Sequence, residues 1–240
     1  MARFHLPAAA WLASPALTGD EARHLSQVLR IKVGETISIF DGGGRRASAE
    51  VLAVSRDRVP LRIGQISPTC TPLPAITLAQ AIPKGKNMDL IVQKSVELGV
   101  AGIQPLVTRN TVVQPGDGKS GKWRRNALEA CKQCGQDTLP VIADALPFDS
   151  WIVDQATTRG LKLIASLAPG ALPLRETLRQ HPGTTAATLL IGPEGDFTPA
   201  ETTAAIAAGF LPVTLGSSVL RVETATLFCL SALRFEFGNS

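Results

Sequence analysis

Two short glycine-containing stretches near the C-terminal end hold the residue types best suited to chemistry. Gly192-Pro193-Glu194-Gly195-Asp196 and Gly216-Ser217-Ser218 put residues without side chains where a backbone must turn sharply. Glycines in such turns let backbone N–H and C=O groups approach a flat ligand closely. Just past the second turn stand Arg221 and Glu223, a cation and a carboxylate two positions apart. Spacing alone supports two readings equally: a ligand pocket, or two ordinary strand-to-helix connections.

The elements around these stretches repeat as strand, turn and helix. An apolar run over 187–191 stops at Gly192. Thr198-Pro199-Ala200-Glu201 then announces a helix, with a Thr N-cap, Pro where its missing N–H costs nothing, and Glu at the third position. Gly209 is placed to end that helix in the left-handed conformation. A second strand over 211–215 runs into Gly216, and a last helix over 222–237 is apolar on most sides. Such a helix must be covered all round, by the fold or by a second copy of the chain. Both turns then lie at the C-terminal edge of a parallel sheet, where open α/β sheets bind ligands.

Upstream the texture is different. A helix is predicted over 20–30, with Thr18-Gly19-Asp20-Glu21 as a capping box and Leu25, Val28 and Leu29 on one apolar face. Three β-runs follow over 36–40, 47–54 and 59–66, the first two joined by Asp41-Gly42-Gly43-Gly44. No helix or Gly-Lys-Ser/Thr follows that triple glycine, so it is a hairpin and not a phosphate loop. These runs predict a β-rich domain over 1–67, a proline-rich linker over 68–74 and an α/β domain over 75–240. Within the last, a strand over 76–82 precedes Asn87, which is placed to cap a helix with Met88, Ile91, Val92, Ser95 and Val96 on one face. A strand over 103–107, a long polar loop over 108–121, a basic helix over 122–135 and a strand over 161–165 complete the pattern. A loop of that length is uncommon unless it binds something or moves.

Composition narrows the classes. Of 240 residues, 45% are hydrophobic and 18% charged, which suits a globular chain with an ample core and excludes a disordered one. Tyrosine is absent and aromatics are 5%, which disfavours an aromatic base-stacking platform. Residues 1–70 hold nine Lys/Arg against six Asp/Glu, residues 75–135 nine against four, and residues 136–240 six against ten. A basic front and an acidic back suggest a polyanionic partner for the front. Cys131-x-x-Cys134 lacks a second pair at ligand spacing, so no metal is expected, and both thiols fit a buried helix face with Trp123, Ala127 and Ala130. No apolar run reaches membrane-spanning length, and the apolar stretch near Trp11 is too short for a signal peptide. A cytoplasmic location is expected.

Two sets of residues carry a family resemblance. Leu190-Ile191-Gly192-Pro193-Glu194-Gly195 and Leu215-Gly216-x-x-Val219-Leu220-Arg221-x-Glu223-Thr224-Ala225 resemble the two knot-loop motifs of the 16S ribosomal RNA uridine-N3 methyltransferases, of the SPOUT (trefoil-knot) superfamily. Arg3-Phe4, Arg23-His24-Leu25-x-x-Val28-Leu29-Arg30, Gly34 and Asp41-Gly42-x-Gly44 resemble the small PUA-like β-barrel that precedes them in that family. The resemblance covers nearly the whole chain. It implies an α/β SPOUT methyltransferase domain, with a parallel sheet flanked by helices and a C-terminal knot, behind a PUA-like RNA-binding domain. It implies S-adenosylmethionine as cofactor, 16S rRNA of the small ribosomal subunit as substrate, and a homodimer packed through the last helix.

Site residues follow from the resemblance together with the chemistry and charge of the residues themselves. Leu190, Ile191, Gly192, Pro193, Glu194, Gly195, Leu215, Gly216, Val219, Leu220, Thr224 and Ala225 are expected around the cofactor. Arg221 and Glu223 are the catalytic candidates: uracil N3 is a poor nucleophile while protonated, so a base and a cation near its carbonyls would serve. Arg3, Arg23, Arg30, Lys84, Arg109, Lys122, Arg124 and Arg125 are the expected RNA contacts. The chain departs from the family pattern at Asp196, Ser218, Gln136 and Lys86-Asn87. Ser218 and Gln136, where the family has basic residues, keep open a SPOUT enzyme acting on another RNA site such as a ribose 2′-hydroxyl; against a third reading, a non-catalytic RNA-binding assembly protein, stand Arg221 and Glu223.

Overall fold

Alternating apolar residues divided by tight turns give the N-terminal part its strands. The computed structural model describes residues 1–69, 73–113, 116, 118–168 and 170–238. Its first unit comprises Met1–Thr71 together with Leu128–Leu139. Strands β1 (Arg3–His5), β2 (Ala16–Thr18), β3 (Thr36–Phe40), β4 (Arg45–Val51) and β5 (Arg58–Pro68) pair in the order β1-β3-β4-β5-β2. The sheet is a curled half-barrel, with β1 and β2 at its two ends. In β3 the period of two is plain: Ile37 and Ile39 enter a core with Phe4, Leu17, Leu25, Val51 and Val59. At the hairpin, Asp41 accepts N–H bonds from Gly43 and Arg45 and pairs with the Arg45 guanidinium at 2.6 Å. Burial pushes the Asp41 carboxyl up, but those donors outweigh it and leave it below its ordinary value.

The predicted helix over 20–30 is divided. Helix α1 (Gly19–Arg23) passes into a π-helical turn, His24–Leu29, which ends with Arg30 in the left-handed region at φ 53°. The capping box expected at Thr18 does not form. Gly19 stands at φ 57°, and the Glu21 carboxylate accepts instead from the His5 N–H and the Lys132 ammonium. A π turn takes more residues per revolution, so Leu25 is buried while Val28 and Leu29, expected beside it, are exposed.

The segment 128–139 belongs to this first unit, a feature absent from the expected division at 68–74. Its turn is fastened by Gly44 N–H to Asp137 O at 3.1 Å and Leu139 N–H to Gly42 O at 2.9 Å. In the expected linker, Pro68 ends β5, and residues 70–72 (including Cys70) lie outside the described ones.

The second unit comprises Pro72–Ala127 and Pro140–Ser240. Its strands are β6 (Ala75–Ala81), β7 (Gly102–Val107), β8 (Val141–Ile142), β9 (Leu146–Pro147), β10 (Leu161–Ala165), β11 (Leu172–Pro173), β12 (Ala186–Ile191) and β13 (Leu211–Thr214). They form one eight-stranded sheet in the order β11-β13-β10-β12-β6-β7-β8, with β9 also paired to β7, and every pairing is parallel. Helices α2 (Asn87–Glu97), α3 (Lys119–Cys134), α4 (Phe148–Gln155), α5 (Leu174–Arg179), α6 (Pro199–Ala207) and α7 (Val222–Phe237) accompany it. This is the expected parallel sheet flanked by helices.

Both faces of the sheet are covered, so its strands read as continuous apolar runs. Ala79, Leu106, Ile164 and Leu190 pack against Phe148, Trp151, Phe197 and Phe210, which α4 and the turns around α6 contribute. Burying each such aromatic side chain contributes roughly 1.5–3 kcal/mol. Leu78, Leu163 and Leu189, one residue earlier, point to the opposite face. The expected face of α2, Met88, Ile91, Val92, Ser95 and Val96, is buried in full.

Several boundaries differ from the sequence reading. Helix α3 begins at Lys119, earlier than the expected start at Lys122. It ends at Cys134, where Gly135 at φ 85° turns the chain; Cys131 is buried, but Cys134 is exposed and leaves the expected buried face. Burial pushes the Cys131 thiol up to about 12. Helices α4 and α5 escaped the reading because each follows a proline that provides no side-chain cap.

Candidate functional site

The C-terminal ends of three neighbouring strands, β13, β10 and β12, open onto one cleft of about 460 Å³, which Asn87 of α2 also lines. That volume falls in the range of small-molecule sites.

The turn after β12 lies at its centre. Ile191, Gly192, Pro193, Glu194 and Asp196 line the cleft. Gly192 has a steric reason to be glycine, since a Cβ there would come within 3.1 Å of the Phe197 ring. Asp196 takes up φ 56°, and its carboxylate accepts the Phe197 N–H at 2.8 Å, which compensates for the strained backbone. The Glu194 Oε1 accepts the Lys84 N–H at 2.9 Å. Asn110 Nδ2 donates to the carbonyls of Gly195 and Asp196 at 2.9 and 3.0 Å. Behind them the capping box read from Thr198 and Glu201 is complete, and the buried Glu201 also accepts the Arg109 N–H at 2.8 Å.

The turn after β13 contributes Leu215, Gly216, Ser218, Val219, Leu220 and Arg221. Gly216 at φ 118° is the position where a side chain would be strained. Among the described residues, one side-chain hydrogen bond braces it, from Thr214 Oγ1 to Gly216 O at 3.3 Å.

A third wall, Ala165, Ser166 and Leu167 at the end of β10, was missed by the sequence reading. No local sequence signal marks it: β10 lies between the two glycine-ended strands, so its end falls between their turns. Asn87, placed by the sequence to cap a helix, is instead the first residue of α2, after Lys86. Its Nδ2 donates to Glu223 Oε2 at 3.2 Å.

Arg221 and Glu223 stand at the mouth of the cleft, at the start of α7. Arg221 is exposed, with no side-chain partner among the described residues; Glu223 is half-buried. Their helix is rooted below by the buried Thr226, whose Oγ1 lies 2.7 Å from Gln80 Oε1 of β6. Of the other expected cofactor residues, Ala225 lines the cleft. Leu190 is buried in the core beneath the turn, Gly195 is held by Asn110, and Thr224 faces a separate apolar groove with Leu227 and Phe228.

The expected RNA contacts divide into free and engaged cations. Arg3 is turned inward, bonded to Gln136 O at 2.6 Å and Asp137 Oδ1 at 2.5 Å, with its guanidinium over the Phe40 ring. Lys122 pairs with Asp89, Arg124 with Asp144, and Arg23 with Asp20. Lys132, on the same basic helix, is held by Glu21 and Glu129; burial pushes its ammonium down, and those carboxylates more than restore it. Arg30, Lys84, Arg109 and Arg125 are exposed without side-chain partners among the described residues. Among those residues no three His, Cys, Asp or Glu side chains are grouped to hold a metal ion, and no helix is long and apolar enough to cross a membrane.

Comparison with known proteins extends this picture. Residues 70–234 match the family model of an RNA methyltransferase domain, and residues 17–64 that of an RNA methyltransferase PUA domain. A Synechocystis protein called ribosomal RNA small subunit methyltransferase E is 33% identical, over 92% of this chain and 73% of its own length. The Bacillus subtilis protein of that name is 28% identical, over 92% and 90%. The crystal structure of a ribosomal RNA small subunit methyltransferase E from Neisseria gonorrhoeae bound to S-adenosyl methionine is 33% identical with a TM-score of 0.88, covering 99% of this chain and 98% of that one. A putative methyltransferase from Legionella pneumophila in complex with the same cofactor is 33% identical with a TM-score of 0.87 and the same coverage.

Proposed function

Because the chain belongs to the RNA methyltransferase family, with a PUA domain ahead of a SPOUT fold, we propose that it transfers a methyl group from S-adenosylmethionine to N3 of one uridine in 16S rRNA. The observation that carries this reading is the Arg221–Glu223 pair at the mouth of a cleft walled by two glycine turns.

The cleft suits the cofactor. Ile191, Leu215, Val219 and Leu220 offer apolar walls, and Gly192 and Gly216 leave backbone groups bare at the rim. When bound, S-adenosylmethionine supplies an electrophilic methyl group on a sulfonium. The chain must then do two things for the uracil. Glu223 takes the proton that leaves N3, and Arg221 donates to the carbonyl oxygen onto which negative charge spreads. Arg30, Lys84, Arg109 and Arg125 neutralise RNA phosphates, so removing one reduces the salt dependence of binding. A second copy of the chain covers the outward side of α7, where Phe228 is 49% and Phe235 89% exposed beside Leu90 and Leu227. The enzyme works in the cytoplasm on the small ribosomal subunit.

Labelled methyl transfer to small subunits lacking the modification tests this reading. Glu223→Gln should slow transfer about a hundredfold, the lower range for loss of a general base, with cofactor affinity by calorimetry within about twofold. A large loss of cofactor affinity would reassign Glu223 to a structural role. Absence of cofactor binding by the unaltered protein would end the reading.

A further inference from the structure

We propose that Asn87 is a positioning residue, which holds the Glu223 carboxylate in its working orientation through one hydrogen bond from a neutral amide. The inference rests on the base role given to Glu223 above.

The geometry begins with two helices. Helices α2 and α7 lie side by side and are fastened near both ends. At one end Arg234 of α7 donates to Leu98 O and Pro74 O at 2.8 Å each, and also to Gly99 O, just past α2. At the other, Asn87 Nδ2 of α2 meets Glu223 Oε2 of α7 at 3.2 Å. The two helices therefore run parallel, and their first turns open on the same cleft.

Asn87 is itself held still. Met88 beside it is buried, and the loop before it is tied to the turn after β12 by Lys84 N–H on Glu194 Oε1. Its amide is consequently aimed at Glu223 by a fixed backbone. Glu223 has no other side-chain donor among the described residues. The bond occupies Oε2 and leaves Oε1 free to take a proton. A neutral amide orients the carboxylate without pairing it to a cation, and neither Lys84 nor Lys86, its neighbours in sequence, bonds to Glu223. Loss of the bond frees the carboxylate to rotate, which lowers turnover without changing what the cleft grips.

The test is a kinetic cycle on the full chain with small subunits as substrate. Asn87→Ala should lower kcat about tenfold, the loss of one hydrogen bond to a charged group, with KM for cofactor and RNA unchanged. Asn87→Asp keeps the shape but opposes two carboxylates, and should lose more than Asn87→Ala. In a Glu223→Gln background, Asn87→Ala should add little further loss, because the two act as a unit. An active Asn87→Asp enzyme, or losses that multiply in the double variant, would overturn the inference. Unaltered protein is the control: no transfer there would fail the functional reading, whereas normal transfer with an indifferent Asn87→Asp fails this inference alone.

Discussion

The two glycine turns do the same topological work and are built in opposite ways. The turn after β12 is braced by Glu194 on Lys84 N–H, by Asn110 on two carbonyls, by Asp196 on Phe197 N–H, and by the Thr198–Glu201 capping box. The turn after β13 has one side-chain bond among the described residues and exposes Val219 at 76%. One wall is thus set by folding, and the other has little besides its backbone and a ligand to order it. Substitutions in the first turn should register in stability, and substitutions in the second in affinity.

The largest effect is expected at Glu201. Replacement by alanine removes a buried acceptor shared by the N–H groups of Thr198 and Arg109. It should cost ~2–3 kcal/mol in denaturant unfolding; a change under ~0.5 kcal/mol would erase the contrast. Asn110→Ala loses the two bonds to Gly195 O and Asp196 O and should cost ~1 kcal/mol in denaturant unfolding. Val219→Ala, in the other turn, should leave stability within ~0.5 kcal/mol, as exposed sites do, while weakening the cofactor about threefold. A stability loss comparable to that of Asn110→Ala would show that the second turn is braced after all. Asp196→Gly is the smallest: relief of the left-handed backbone, ~1 kcal/mol, opposes loss of the bond to Phe197 N–H, also ~1 kcal/mol. The unfolding midpoint should barely move.

What the sequence revealed follows the same division. The readable part of the braced turn is the part with local supports: Thr198 and Glu201 are three residues apart, whereas Lys84 and Asn110 reach it from 110 and 85 positions away. The supports that escaped are distant in the chain. Asn87 and Glu223 are separated by 136 positions, and Arg3 and Asp137 by 134. Nothing at Arg3 signals that its charge is spent inside the first unit, and nothing at Asn87 signals a partner other than its own helix. Ser166 joined the cleft through strand order, which no local pattern encodes. The π turn at His24–Leu29 arose where an ordinary helical period was assumed.

The identity of the methylated atom bears most directly on the whole account. Small subunits lacking the modification, incubated with the protein and labelled S-adenosylmethionine, should yield label in 3-methyluridine when their RNA is digested to nucleosides. Label in a ribose-methylated nucleoside, or none in the RNA while the cofactor binds, would contradict it.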